Sequence, residues 1–246
     1  DIRFSSWKEG FDSPRGCHFL YIMDNSVEKP EIAYLLPGLF LSGGINTALR
    51  HVLELRKRGR NAVAFCLNME HDSSWCPFID KVPCYPFSSY YEICGPSGAK
   101  HLVATWWETA FDVAEVDADN KHYFLQSIES RLFPDSHPFH HAFYLSLLLG
   151  LHVFTEARWI RNWLKADAGI LADVVPNGID PDLFHPVGHQ RAGEKLRVLI
   201  EGSTRSPFKG VKESFAALEN LDVETWYVSP DDDPDPAWRV DRCFKG

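Results

Sequence analysis

The sequence predicts an α/β protein made of two successive Rossmann-like, doubly wound units, the second only begun within 246 residues. Three observations predict this. Apolar runs of strand length alternate with segments of helical spacing. A Gly-rich turn joins the first clear strand to the first helix. The same strand, loop, helix, strand order then restarts near residue 195, after a polar stretch containing Pro and Gly.

Residues 1–29 read as a mixed lead-in, in which "CHFLYIMD" has the composition of a short strand. A buried strand follows from Ile32 to Leu36. Ile45, Leu49, Val52 and Leu53 then share one helix face. That helix ends in "RKRGR", where Gly59 suits a C-terminal stop and the cations suit the negative end of the dipole. "NAVAFCL" is the next strand and completes a βαβ unit. "HLVATWW" reads as a strand entering a turn, and "KHYFLQS" as another strand. "FHHAFYLSLLLG" reads as a buried helix, and "HVFTEA" as a strand. Trp159, Ile160, Trp163 and Leu164 give an amphipathic helix. "DVVPNGID" reads as a short strand closed by a Pro-Asn-Gly turn, in which Gly178 admits positive φ. Beyond the polar stretch, "LRVLIEG", "VKESFAALENL" and "VETWYVS" repeat strand, helix and strand. The acidic, Pro-rich tail shows no clear period. The organisation expected is therefore a lead-in at 1–29, a first unit at 30–185, a linker at 186–194 and a second unit from 195 to 246.

Composition narrows the function classes. The net charge of −9 argues against a broad nucleic-acid surface. The six Cys form no C-x-x-C pair, so the spacing indicates neither a zinc site nor a redox motif. The longest apolar run, near "FYLSLLLGLHVF", is about half the ~20 residues a membrane span needs. His140 and His141 are adjacent and cannot share a helix face, which weakens a metal reading of the His137 to His141 segment. A cytoplasmic compartment is expected, with peripheral contact at the inner membrane face through the "RKRGR" cations as an added expectation. As helix-end cations these residues need no such role.

Four segments carry chemistry. Ser42-Gly43-Gly44-Ile45 precedes a helix, where free amides and the positive dipole end suit a phosphate or a sugar hydroxyl. It is neither a G-x-G-x-x-G nor a P-loop, which disfavours nicotinamide and P-loop nucleotide chemistry. "VVPNGIDPDLFHP" runs from a strand through Asn177, Gly178 and Asp180, with Phe184 and Pro186 expected to anchor its exit; it serves equally as a plain domain-crossing turn. Arg205 and Lys209 in "EGSTRSPFKG" set two cations beside a helix start, which suits an anionic leaving group. Thr105, Trp106, Trp107, Gln126 and Glu129 supply aromatic and polar groups of the kind that meet sugars, although Trp is as commonly core.

The second of these segments resembles the hinge of the "family four" retaining glycosyltransferases of the two-Rossmann GT-B fold. In that family a strand runs into P-N-G-[IV]-D-x-x-x-F-x-P, and Pro176, Asn177, Gly178, Ile179, Asp180, Phe184 and Pro186 match it. Gly43-Gly44 is similar to the family's Gly-Gly turn, and Lys209-Gly210 to its Lys-Gly pair. The family's Gly-Arg turn is not matched, because Ser203 follows Gly202 and Arg205 comes two residues later. "ATWWETA" and "YFLQSIES" resemble a subgroup acting in rhamnan and other bacterial cell-surface polysaccharide synthesis, with Ser127 where that subgroup has Asp.

The resemblance implies transfer of a sugar from a nucleoside-diphosphate sugar to a carbohydrate or lipid-linked glycan acceptor, with retained anomeric configuration and with neither metal nor cofactor. It places Gly43, Gly44, Arg205 and Lys209 at the donor diphosphate, and Thr105, Trp106, Trp107, Gln126 and Glu129 on the acceptor side of the cleft. It implies no nucleic-acid partner. The family's Glu-rich motif lies beyond the matched region, so this polypeptide alone is expected to be inactive or impaired. Two alternatives stay open: a degenerate sugar-binding or partner subunit, and a same-fold sugar-nucleotide epimerase.

Overall fold

Seven parallel strands form the first sheet: β1 (Ile32–Gly38), β2 (Ala62–Asn68), β3 (Cys84–Pro86), β4 (Ala99–Ala104), β5 (Ala118–Leu125), β6 (His152–Thr155) and β7 (Asp173–Val174). Their spatial order is β3-β2-β1-β4-β5-β6-β7. The chain therefore reverses its winding between β1 and β4, the doubly wound arrangement. The structure is a computed structural model and describes residues 29–186, 195–229 and 233–245. The strand expected in "CHFLYIMD", the linker from residue 187 and Asp231-Asp232 lie outside the described residues.

Helices cover both faces, because a parallel sheet is apolar on both. Helix α1 (Gly43–Lys57) lays Ile45, Ala48, Leu49, Val52 and Leu53 on Tyr34, Leu36, Ala64, Cys66 and Val103. Truncating the fully buried Leu49 to Ala would cost about 2–5 kcal/mol. The helix closes as a Schellman motif: Arg60 N–H donates to the Leu55 carbonyl and Gly59 N–H to that of Arg56, with Gly59 at φ 76°. The stop expected at Gly59 is therefore observed.

The alternate residues Ala33, Leu35, Tyr123 and Leu125 face the other way. There they meet α2 (Tyr90–Cys94), α3 (Trp107–Glu115), α4 (Pro138–Ser146) and α5 (Arg158–Trp163). Two of these helices escape the sequence reading. Residues 69–98 carry little periodicity, yet β3 and α2 lie there. Strand β3 is held by its pairing with β2, and α2 by the Tyr90 hydroxyl, which accepts from Ala99 N–H and donates to the Asp117 carbonyl. "TWWETA" opens α3 rather than a turn. Helix α4 is only half buried: Phe143 and Ser146 face inward, while Leu145 is 56% exposed. In α5, Ile160 is buried and Trp159 is 51% exposed, so the inward stripe is narrower than the four-residue spacing suggests.

A second parallel sheet has the order β10-β9-β8, built from β8 (Arg197–Glu201), β9 (Glu224–Ser229) and β10 (Arg242–Lys245). Helix α6 (Val211–Leu218) packs Val211 and Phe215 on Ile200 and Tyr227, and Trp238 stacks on Phe215 at 4.3 Å. The tail without clear period thus contributes a third strand. Its four exposed residues read charged, apolar, apolar, charged, which gives no period-2 signal.

Candidate functional site

The carboxyl ends of the first-sheet strands converge where the winding reverses, between β1 and β4, and in open α/β sheets ligands bind at that point. The seam is fixed by Thr105, whose hydroxyl donates to the Leu35 carbonyl at 2.7 Å. On one side of it, α1 begins at Gly43 with no side-chain cap and no acidic residue in its first turn. Its leading amides and the positive dipole end are therefore left for water or a ligand.

Gly43 is exposed, and a Cβ there would meet no atom within 4 Å. Gly44 is different. Gln126, just past the end of β5, donates its side-chain amide to the Gly44 carbonyl at 3.2 Å, and a Cβ at Gly44 would lie 3.1 Å from that nitrogen. The structure thus brings Gly43, Gly44 and Gln126 together at the rim. The rim's other wall is the loop after β2. The Trp75 indole donates to the Leu39 carbonyl, and His71 packs edge-on against Phe40 at 5.2 Å.

Thr105, Trp107 and Glu129 do not face an open cleft. They are 6%, 8% and 1% exposed, and Trp106 is partly buried against the core. This corrects the expectation that the three line the acceptor side. Their work is local. One oxygen of the Glu129 carboxyl accepts from the Trp107 N–H at 2.7 Å and the Tyr123 hydroxyl at 3.1 Å, tying the start of α3 to β5. Burial pushes this carboxyl up to about 8, against those two hydrogen bonds. The Thr109 hydroxyl accepts from the Thr105 and Trp106 amides and completes the α3 start. The apolar "TWW" run carries the same composition whether it faces a sugar or a core.

Glu156, which sequence reasoning did not single out, sits just past β6 and accepts a hydrogen bond from the Asn177 side chain. Burial raises its pKa, and the Asn177 hydrogen bond opposes that rise. Arg50 of α1 reaches Asp180 at 3.9 Å. Asn177 and Asp180 therefore bind the segment after β7 back to the rim at two points. Gly178 does not take positive φ, so the Pro-Asn-Gly segment runs on without the turn expected. Phe184 is 66% exposed and does not anchor the exit to the core. A carboxylate that closes a strand has no periodic signature; the signal available for Glu156 was its place directly after "HVFT".

On the second sheet, β8 ends at Glu201, and Gly202 follows at φ 138° with the Lys209 side chain packed over it. The Lys209 ammonium lies 3.3 Å from the Glu201 carboxylate. Arg205 is exposed, and its backbone N–H donates to the Ser203 hydroxyl. The two cations thus flank the turn before α6, but one already has a carboxylate partner. A cavity of about 70 Å³ at this turn is lined by Thr204, Ser206, Pro207, Val211, Lys212 and the Glu213 carboxylate. A larger depression of about 360 Å³ lies at the opposite, amino edge of the sheet, where Arg197 is paired with Glu224. It is on the wrong edge for a doubly wound ligand site.

Among the described residues no group of three or more His, Cys, Asp or Glu could hold a metal, and no helix is long and apolar enough to cross a membrane. No family model matches the chain, and no curated protein does. Among solved structures, the chain is similar to the glycotransferase of kitacinnamycin, at 12% identity and a TM-score of 0.42, over 87% of this chain and 70% of that one.

Proposed function

We propose that this chain belongs to a retaining glycosyltransferase of the GT-B type, moving a sugar from a nucleoside diphosphate to an acceptor hydroxyl in bacterial cell-surface polysaccharide synthesis. Residues 30–185 form its acceptor-side domain, and residues from 195 onward open its nucleotide-side domain. The observation that carries the reading is the segment Pro176 to Pro186. It matches the family hinge at every fixed position and leaves β7 at the carboxyl edge, tied to Glu156 and Arg50.

In this reading Lys209 and Arg205, with the first amides of α6, receive the charge that develops on the departing diphosphate. The uncapped start of α1 and Gln126 hold the acceptor or a donor hydroxyl. The Lys209 ammonium exchanges Glu201 for phosphate when the donor arrives.

The reading is tested by thermal melts against nucleoside diphosphates and their sugars without added metal. One diphosphate should raise the melting temperature, and Lys209→Ala should abolish the rise. No rise with any diphosphate at millimolar concentration overturns it. A second reading, a degenerate sugar-binding partner subunit, is favoured by Ser203 standing where the family has Arg. Under that reading free sugars, and not diphosphates, shift the melt.

A further inference from the structure

Helix α4 is apolar on both sides. Phe143, Ser146 and Leu147 face the core. The opposite stripe, at positions 141, 144 and 145 of α4 and at 148 in the turn after it, is also largely apolar, with Tyr144, Leu145 and Leu148 at 40%, 56% and 77% exposed. Contiguous exposed apolar stripes of this kind mark interaction surfaces.

The neighbours on either side show what fits. Helices α3, α4 and α5 each connect parallel strands over the same sheet face, so they lie side by side and point the same way. Trp107 of α3 packs on Phe139 of α4 at 5.0 Å, and Trp163 of α5 on Tyr144 at 6.2 Å. The outward stripe of α3 is acidic: Glu108, Asp112 and Glu115. The outward stripe of α5 and the turn after it is basic: Arg158, Arg161 and Lys165. None of these six forms an ion pair among the described residues. Burial, then Glu108 and Glu115, push the Asp112 carboxyl up to about 6, as expected where acids stand together without a cation.

We infer that this face is a self-complementary dimer interface, in which α4 packs on α4 of a second copy. A two-fold axis parallel to α4 exchanges left and right. It therefore sets the acidic stripe of α3 against the basic stripe of the partner's α5, twice over. Because the helices run in the same direction, the row Glu108, Asp112 and Glu115 faces the row Arg158, Arg161 and Lys165 of the partner subunit. The perpendicular axis in the same plane would lay acid on acid and base on base. An anionic membrane suits the basic flank and opposes the acidic one, which favours a second copy as the occupant.

Sedimentation velocity at low and high salt tests this. The protein should be a dimer at tens of micromolar in low salt and weaken in about 1 M salt, where the screening length falls to ~3 Å. Leu145→Glu with Leu148→Glu should give a monomer with an unchanged circular dichroism spectrum. Reversing the three acids to Lys, or the three cations to Glu, should each raise the dimer Kd by ~100-fold or more. Mixing those two reversed variants restores both charge pairings, and a heterodimer should form. A monomeric parent protein at low salt overturns the proposal. So does failure of the mixed variants to associate, or co-sedimentation of the monomer with phosphatidylcholine–phosphatidylglycerol vesicles that is lost in Leu148→Glu.

Discussion

The side-chain amide of Gln126 donates to the Gly44 carbonyl at 3.2 Å, joining the end of β5 to the first turn of α1 across the winding reversal. The same contact separates the roles of two adjacent glycines. At Gly43 an added Cβ meets nothing, so Ala should stabilise by up to about 0.5–1 kcal/mol through helix propensity. At Gly44 the Cβ presses on the Gln126 amide and offsets that gain. Gly43→Ala should therefore melt higher than Gly44→Ala, and Gln126→Ala should erase the difference. A double-mutant cycle on urea midpoints reads the coupling, and additivity would mean that the contact is not formed.

Glu129 should make stability fall as pH rises. Its carboxyl titrates at about 8 in the folded chain against 4.5 as a free side chain. Between those values the native state holds the extra proton, so unfolding is favoured progressively from about pH 4.5 to 8. Glu129→Gln keeps an oxygen for the Trp107 amide and the Tyr123 hydroxyl and removes the charge. It should be less stable than or equal to the parent at pH 5, and more stable by a few kcal/mol at pH 8.5. Urea melts at the two pH values decide; a variant weaker at both would show that the carboxylate is held ionised.

Much of the first sheet is legible because its strands are buried on both faces and its first helix is strongly amphipathic. Ile45, Leu49, Val52 and Leu53 all fall on the inward face of α1. The parts missed share one cause: they are specified by tertiary hydrogen bonds rather than by period. Helix α2 is five residues long and depends on the Tyr90 hydroxyl bridging to Ala99 and Asp117. The start of α3 depends on Thr109 and on a carboxylate 22 residues away. Less of the candidate site was legible. Gly44 and Gln126 meet at the rim, but the aromatic run at Trp106-Trp107 could not be assigned to cleft or core by composition, and Glu156 carries no signal beyond its place directly after "HVFT".

The Lys209 to Glu201 pair makes a prediction about strength of binding. A carboxylate 3.3 Å from the ammonium competes with any phosphate for it. Glu201→Gln removes the competitor and keeps the size, so diphosphate binding should tighten roughly two- to fivefold, the range of an exposed ion pair. Lys209→Ala should weaken binding and make the Glu201 substitution silent. Isothermal titration of the single and double variants checks this. Equal tightening in the presence and absence of Lys209 would place the phosphate elsewhere.

The opposite pH slope comes from a row of imidazoles across the first sheet. His101 on β4 lies 3.2 Å from His122 on β5, whose ring meets that of His152 on β6, and His152 bonds Asp173 on β7 at 3.0 Å. Burial, with His101 and His152 alongside, lowers the pKa of His122 to about 4. A free imidazole titrates near 6.5, so between those values the unfolded chain binds the extra proton. The stability from a neutral His122 is complete above about pH 6.5 and is lost as pH falls toward 4. Because Glu129 acts with the opposite sign over part of that range, the comparison must be made against His122→Gln. The parent should lose stability relative to that variant between pH 7 and 4.5, and the His122 ring resonances should titrate well below those of an unfolded control. A His122 midpoint at or above 6.5 would mean that the proton is shared along the row rather than excluded from it.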